Sequence, residues 1–552
     1  MERRTEAVKY IISRIIAGER NLRKLKNEAG KKFALNEIPK NTELWTMFPK
    51  SKLTDEIKLL LLRKPVRTIS GVSPIAVMIR PEGSCRFRCI YCPFTGKAAK
   101  SYTGEEPAAL RARQNNFDPG KQVKTRLEQF RIGGHPNEKC EIIIMGGTFL
   151  QMERKYKYGF IKSVYDALNS DGKSGKKTLP SKDLETAKKM NETAKHRAIG
   201  LTIETRPDIC KESEINEMLE FGATRVELGV QNPNDRIYRN INRGHTVKDV
   251  EIATRLLKDS SFKVLYHIMP GLPGSSPSED IRMVKKMFGN ERFKPDMLKI
   301  YPTLVMPNTE LFKMYENGEY EPYTTEQAAD VISEFFKYIP KYVRVMRIQR
   351  DIPTGLIVGG VNKSNLRELV EAKIREKRIR PQEIRWRELG FAKKQGKTGG
   401  NPDADKFLLN RTDYQASKGN EVFLSFEDYS GQRNSRGHGT DATRTIAGFI
   451  RLRNPYEPFR KELENAGLVR EFHVYGNELG LGKRERNAKP ETRDNNSAQH
   501  EGYGNQLLAE AERIVKEEFG FKKIAIISGV GVREYFYKTG YKPDGPYVSK
   551  KL

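Results

Sequence analysis

Cys85-Arg86-Phe87-Arg88-Cys89-Ile90-Tyr91-Cys92 is the stretch on which the reading of this chain turns. Three of the five cysteines fall within these eight residues, just after a β-rich run at 74–79. The spacing is not that of a disulfide framework. A structural zinc ion wants four ligands, and no fourth is nearby. Three thiolates can instead hold three irons of a four-iron cluster and leave the fourth iron open, which is what chemistry needs. Cys140 and Cys210 stand alone and read as packing residues, so no second metal is expected.

Downstream, a strand-like run at 141–145 ends in Gly146-Gly147-Thr148-Phe149. A glycine pair at the end of a parallel strand lets a ligand approach the backbone closely. Further β-rich runs at 199–204, 224–230, 263–268 and 297–301 alternate with helical stretches. Six strands joined by crossovers predict an α/β fold whose parallel sheet is closed or partly closed as a barrel. A Lys-rich run between Ser170 and Arg197 reads as an exposed insertion. Residues 310–400 look helical and mixed, and the polar run KKQGKTGGNPDADK reads as a linker.

A second α/β unit begins near residue 408, with strand candidates at 422–426, 446–452, 471–475 and 523–527. A helix at 504–518 lies between the last two and is opened by Gln499-His500-Glu501-Gly502-Tyr503-Gly504. Glycines there expose successive backbone N–H groups at the positive helix end, which suits a pyrophosphate. At the other terminus, Val8, Ile11, Ile12, Ile15 and Ile16 recur at helical spacing in a region rich in Lys and Arg. Over all 552 residues, 100 basic side chains against 71 acidic ones leave +29, which favours a polyanionic partner such as nucleic acid. No apolar run approaches a bilayer's width and the N-terminus lacks an apolar signal region, so a cytoplasmic protein with no membrane partner is expected. The organisation expected is a basic helical region at 1–70 suited to binding nucleic acid, a core with a helical linker at 71–400, and a second domain at 401–552.

The cysteine loop and the glycine pair resemble the radical-SAM superfamily, and Tyr91 before the last cysteine fits that pattern too. The turn at Gln499–Gly504 and the segment Tyr535-Phe536-Tyr537-Lys538-Thr539-Gly540-Tyr541 resemble GNAT acetyltransferases. Longer phrases are shared with one family that combines both. Gly134-His135, Lys139, Met145–Phe149, Ile203–Asp208, Glu227–Gln231, Asn242–Thr246, Tyr301–Leu304, Gln349–Pro353 and Ser528–Arg533 resemble the catalytic-subunit family of Elongator, which modifies the wobble uridine of tRNA, in its archaeal type.

The resemblance implies a radical-SAM partial (β/α) barrel followed by a GNAT-type acetyltransferase domain. It implies a [4Fe-4S] cluster on Cys85, Cys89 and Cys92, with S-adenosylmethionine on the open iron. Gly146, Gly147, Thr148, Glu204, Arg206, Gln231 and Arg243 are then expected around that cofactor. Acetyl-CoA is expected against Glu471, Phe472, His473, Val474, Gln499, Gly502, Tyr503, Gly504, Asn505, Tyr535 and Phe536, with Lys139 reaching it from the barrel side. Lys139, Glu471 and Tyr535 are the expected catalytic residues; Phe536 stands where relatives carry a second tyrosine. The cysteine spacing is also shorter than in many relatives. The activity implied is transfer of a carboxymethyl group, drawn from acetyl-CoA by a SAM-derived radical, to C5 of the uridine. The pantetheine arm is expected to bridge the two domains and present its acetyl end toward the barrel mouth. The partners implied are the tRNA anticodon stem-loop and an electron donor; a homo-oligomer and accessory Elongator subunits stay open. Two other readings are a protein lysine acetyltransferase with Glu471 as general base, and a non-catalytic tRNA-binding module.

Overall fold

The computed structural model describes residues 2–62, 68, 71–81, 85, 87–147, 149–171, 179–389, 407–428, 444–475 and 502–552. Thr148, Gln499 and most of the Lys-rich run after Ser170 lie outside the described residues, as does the polar linker.

Helices Glu2–Ile16, Leu22–Lys32, Asn41–Met47 and Asp55–Leu61 open the chain. Val8, Ile11, Ile12 and Ile15 pack with Leu25, Leu44, Phe48 and Leu61 in a small core separate from the main one. Ile16, expected on the same apolar stripe, ends its helix and is 43% exposed.

The first sheet has seven strands: β1 Ser73–Met78, β2 Lys139–Met145, β3 Arg197–Thr205, β4 Arg225–Gln231, β5 Lys263–Ile268, β6 Met297–Ile300 and β7 Arg344–Ile348. They lie in sequence order and every neighbouring pair is parallel. Six match the runs read from the sequence. The seventh, Arg-Val-Met-Arg-Ile, lacks an apolar stripe because its arginines pair with carboxylates: Arg344 with Glu388 at 2.6 Å and Arg347 with Asp351 at 2.6 Å.

The second sheet holds β8 Phe407–Ala416, β9 Gly419–Asp428, β10 Ile446–Asn454, β11 Ala466–Val474, β12 Lys523–Ile526, β13 Lys542–Asp544 and β14 Tyr547–Lys551. Its order is β13-β14-β12-β11-β10-β9-β8; β11 and β12 run parallel and every other pair is antiparallel. The expected helix between β11 and β12 runs Tyr503–Arg513 and widens into a π-turn at Ile514–Glu518.

The second sheet caps the amino-terminal ends of the barrel strands. Arg470 on β11 grips both carboxylate oxygens of Asp296, which precedes β6, at 2.7 Å each, and Glu421 on β9 at 2.7 Å. Arg453 on β10 joins Asp259 at 2.7 Å and Glu421 at 2.9 Å, while Lys258 lies 3.4 Å from both Asp296 and Glu421. These three acids and three bases are almost wholly buried, and their charges balance. A buried set of this kind is tolerable only when every member is paired. Backbones also meet here: a β-carbon on Gly529 would lie 2.0 Å from the Ile199 carbonyl oxygen on β3, so only glycine fits.

Candidate active site

The loop after β1 carries Cys85, Cys89 and Cys92, all free thiols, with Cys89 buried and the other two half-buried. Cys140 and Cys210 are buried elsewhere in the core, as expected of packing residues. Arg243 places Nη1 3.5 Å from the Cys89 sulfur, and Lys100 donates to the Cys85 carbonyl at 3.3 Å. Cationic donors beside the thiols suit a thiolate-bound cluster. Arg206 stacks its guanidinium 3.9 Å from the Phe87 ring centre, which fixes the middle of the loop.

Gly146, at the carboxyl end of β2, has φ +121°, and a β-carbon there would lie 2.6 Å from Ile79. Its N–H donates to Glu204 Oε2 at 3.3 Å, and the Tyr102 hydroxyl donates to the same oxygen at 2.9 Å. Nothing lies within 4 Å of a β-carbon built on Gly147. Gln231 ends β4 with φ +65° and its Oε1 is buried without a partner. Tyr91 Oη, Arg206 Nη1 and Arg243 Nε are buried and unpaired likewise. Four orphaned polar atoms at one end of a barrel are what a polar ligand would satisfy. The thiols, the open space at Gly147 and these atoms fit an iron–sulfur cluster with S-adenosylmethionine. The structure thus brings Cys85, Cys89, Cys92, Gly146, Gly147, Glu204, Arg206, Gln231 and Arg243 together around one end of the barrel.

The barrel interior is polar along its length. Glu227, with no exposure, bonds to His267 Nε2 at 2.7 Å and to Lys299. Burial pushes its carboxyl up, but Lys299, His267 and Arg225 outweigh burial and hold it well below the usual carboxylate range. Arg225 pairs with Glu141 and lies 3.6 Å from Glu227. None of His267, Lys299 or Arg225 was singled out from the sequence; each sits at alternate positions in an otherwise apolar run and reads as a break in the pattern.

At the other end, β11 and β12 separate. Their pairing stops at Val469 and Ile526, with one further bond from Ile527 N–H to the Val469 carbonyl at 3.3 Å. β11 continues along β10 to Val474, so one edge of 470–474 has no strand partner among the described residues. Helix Tyr503–Arg513 starts at this gap with Gly502 at φ +86°. A β-carbon on Gly504 would lie 3.2 Å from Tyr535 Oη, 3.3 Å from Phe472 and 3.7 Å from Val474, so these four expected residues line one wall. The Tyr535 hydroxyl donates to Asn505 Oδ1 at 3.4 Å. Tyr503 and Phe536 are core residues: Tyr503 packs on Phe426 with ring centres 4.6 Å apart, and Phe536 packs between Phe472 and Tyr541. Only their backbones are placed to meet a ligand in this wall.

The opposite wall carries Glu471 and His473, which face the barrel. Glu471 is bound by Arg451 Nε at 2.7 Å; burial raises its carboxyl, but Arg451 and Lys263 outweigh burial and hold it low. His473 is driven down to about 4, by burial first and then by Arg344, with Lys263 and Lys139 adding to it. Lys139, the first residue of β2, therefore lies close to β11, although far apart in sequence. The gap in the second sheet faces the amino-terminal end of the barrel, whereas the cysteines lie at the carboxyl end.

Family models match the amino-terminal helices and the barrel. The radical SAM superfamily model matches residues 80–287, the radical SAM C-terminal domain model residues 295–376, and the ELP3 N-terminal domain model residues 4–69. Over nearly its whole length the chain is 39% identical to Elongator complex protein 3 of Schizosaccharomyces pombe, covering 100% of this chain and 98% of that one. The chain belongs to the Elongator complex protein 3 family. A family member from Methanocaldococcus infernus, named tRNA uridine(34) acetyltransferase, is 49% identical over 90% of each chain. Another with that name, from Dehalococcoides mccartyi, is 45% identical over 89% of this chain and all of its own. The solved structure of M. infernus Elp3 with an N-terminal deletion superposes with a TM-score of 0.74 at 47% identity, over 88% of this chain and 100% of that one. This Elongator complex protein 3 family member has no described helix long and apolar enough to cross a membrane.

Proposed function

We propose that the chain modifies uridine 34 of tRNA, placing on C5 of the base a carboxymethyl group drawn from acetyl-CoA. The observation that carries this reading is the lining of the barrel. A packed (β/α) barrel is filled with layers of bulky aliphatic side chains. Here Glu204, Glu227, His267, Lys299, Arg225 and Glu141 run from the cysteine end to the end capped by the second sheet. A polar interior joining two ligand sites suits a reaction that needs both.

Cys85, Cys89 and Cys92 would hold the cluster, and Gly146, Gly147 and Glu204 would orient S-adenosylmethionine on it. When bound, these groups supply a 5′-deoxyadenosyl radical able to remove hydrogen from an unactivated methyl group. The second domain then acts as a GNAT-type acyl-CoA holder. The Gly502–Gly504 turn at its helix N-terminus would bind the pyrophosphate, and the free edge of β11 would bind the pantetheine arm. Lys139 would reach the same acetyl-CoA from the barrel. The acyl methyl would give a hydrogen atom to that radical and its carbon would bond C5; the C5 hydrogen would then leave as a proton to water and an electron to the cluster or its electron-carrier partner, and water would cleave the thioester, freeing CoA thiol and leaving the carboxylate. The excess of +29 and the basic N-terminal helices would hold the anticodon stem-loop through its phosphates, with the base unstacked into the barrel. Glu471, committed to Arg451, is poorly placed to serve as the free base that a protein acetyltransferase needs.

The test compares Lys139→Ala with Gly504→Glu. Both are expected to cut tRNA-triggered CoA release by at least about tenfold while reductive SAM cleavage continues, since the first removes a contact with the shared cofactor and the second sets a negative charge against its phosphates. Wild-type release by Lys139→Ala would sink the shared-cofactor reading.

A further inference from the structure

Side chains alternate along β11, so the edge of 470–474 that lacks a strand partner among the described residues is flanked by two unlike walls. Phe472 and Val474 face the helix that starts at Gly502; Glu471 and His473 face the barrel. A thioester lying along that edge meets both walls. On the barrel side, the Glu471 carboxylate is already engaged by Arg451 at 2.7 Å. His473 is not: its Nε2 is sealed from solvent and has no hydrogen-bond partner among the described residues. Its ring stacks at 26° over Phe449 and lies 4.4 Å from Tyr475, which fixes its plane. Leaving a buried polar atom unmet is costly, and a ligand that meets it recovers that cost.

We propose that His473 donates a hydrogen bond from Nε2–H to the thioester carbonyl oxygen of acetyl-CoA, turning the acyl methyl into the barrel. The inference rests on the acetyl-CoA reading above. The ring is suited to donate and not to take a proton. Burial, Arg344, Lys263 and Lys139 hold it neutral down to about pH 4, with only Glu471 opposing them. An imidazole that weakly basic accepts protons poorly near neutrality, yet its N–H still polarises a carbonyl. The same bond serves hydrolysis. Water adds to the carbonyl carbon and negative charge gathers on the oxygen that His473 faces. The C–S bond then breaks, a proton from water goes to sulfur, and the products are a carboxylic acid and CoA thiol. His473 ends as it began.

Calorimetric titration of the full chain with two ligands tests this directly. The ligands are acetyl-CoA and S-ethyl-CoA, which carries a methylene in place of the carbonyl. Wild type is expected to prefer acetyl-CoA by about five- to tenfold, the worth of one hydrogen bond. His473→Phe should lose the preference while binding S-ethyl-CoA as wild type does, and His473→Gln, whose amide can still donate, should keep part of it. Infrared spectra of carbonyl-labelled acetyl-CoA on the wild-type protein give a readout that needs no variant: the carbonyl stretch should fall relative to free acetyl-CoA. Equal affinity of wild type for the two ligands, an unshifted stretch, or a preference that survives His473→Phe would overturn the proposal. Failure of wild type to bind either ligand would instead overturn the acetyl-CoA reading on which it rests.

Discussion

At the carboxyl end of the barrel, three cysteines lie within eight consecutive residues and the glycine that shapes the cradle follows on the neighbouring strand. At the amino end, Lys139, Arg225, Lys263, Glu471 and His473 come from four strands of two sheets, the most distant more than 300 positions apart in sequence. The first region is a local device that the fold merely displays. The second exists only once two domains have docked. They differ in polar bookkeeping too. The cradle leaves Gln231, Tyr91, Arg206 and Arg243 with unmet polar atoms; the amino end leaves His473 Nε2 and two Arg225 nitrogens unmet as well, but the six-charge set beside it closes three acids against three bases with every one paired. A ligand site keeps unmet polarity, and a structural interface removes it.

The sharpest way to break this contrast is to remove the local device. Replacing Cys85, Cys89 and Cys92 together by Ser should abolish the iron chromophore and reductive SAM cleavage, and leave acetyl-CoA affinity at the far end within about twofold of wild type, since distant sites act independently. Iron content by elemental analysis and calorimetry check the two halves of the statement. A normal iron content would refute the cluster assignment.

That difference also decided what could be read beforehand. The three cysteines, the Gly146-Gly147 pair and six of seven barrel strands follow from spacing and periodicity over short windows. β7 escaped because it is short and its Arg344 is half-buried against Glu388, a partner that only the fold supplies. β8, Phe-Leu-Leu-Asn-Arg-Thr-Asp-Tyr-Gln-Ala, escaped because it is an edge strand with a largely solvated face. Lys139 was reached through family likeness alone; its position beside His473 needs the docked second sheet. Nothing in the sequence marked Lys258, Asp259, Asp296, Glu421, Arg453 and Arg470 as one set, because buried charges look like surface charges until their partners are known.

The interface set yields the next largest effect. Arg470→Met leaves Asp296 and Glu421 buried beside too few cations, and truncating one member of a buried pair costs about 3–5 kcal/mol. Denaturant unfolding should show that loss. Arg131→Met, which breaks only an exposed i,i+3 contact with Glu128, should be nearly neutral. Equal effects from the two changes would mean that the buried set does not hold the domains together.

Acid sharpens the comparison further. His473 is held near 4 against an ordinary 6.5, by burial first and then by Arg344. A base whose folded value is depressed contributes stability that is complete above its unfolded value and is lost as pH falls toward the folded value. For His473 the window is pH 6.5 to 4, and moving from pH 7 to 5 should remove about 2 kcal/mol through this group. His473→Gln should lose about that much less than wild type over the same interval in urea unfolding. Parallel losses in the two proteins would place the acid sensitivity elsewhere, with His245 in the cradle, lowered to about 2 by burial and by Arg243 and Arg206, as the next group to examine.

The smallest effect concerns Tyr535, whose hydroxyl hangs over the Gly502–Gly504 turn. It is 36% exposed, and its one described bond, to Asn505 Oδ1, is long at 3.4 Å. Its ring lies near-parallel to Phe472 with centres 6.0 Å apart, a contact that phenylalanine would keep. Tyr535→Phe should therefore change stability by no more than about 0.5 kcal/mol, because a weak exposed hydrogen bond is readily replaced by water. Burial raises the Tyr535 phenol above its ordinary value, so the hydroxyl stays protonated at neutral pH and can donate to a departing CoA sulfur. If it does so, Tyr535→Phe slows tRNA-triggered CoA release by about tenfold without changing acetyl-CoA affinity, the mark of an interaction made only as the C–S bond breaks. A rise in Kd at unchanged release would make the hydroxyl a ground-state contact. No change in either would reduce Tyr535 to its ring, one more packed aromatic in the wall with Phe472 and Phe536, and would leave His473 and Lys139 as the side chains that act on the acyl group.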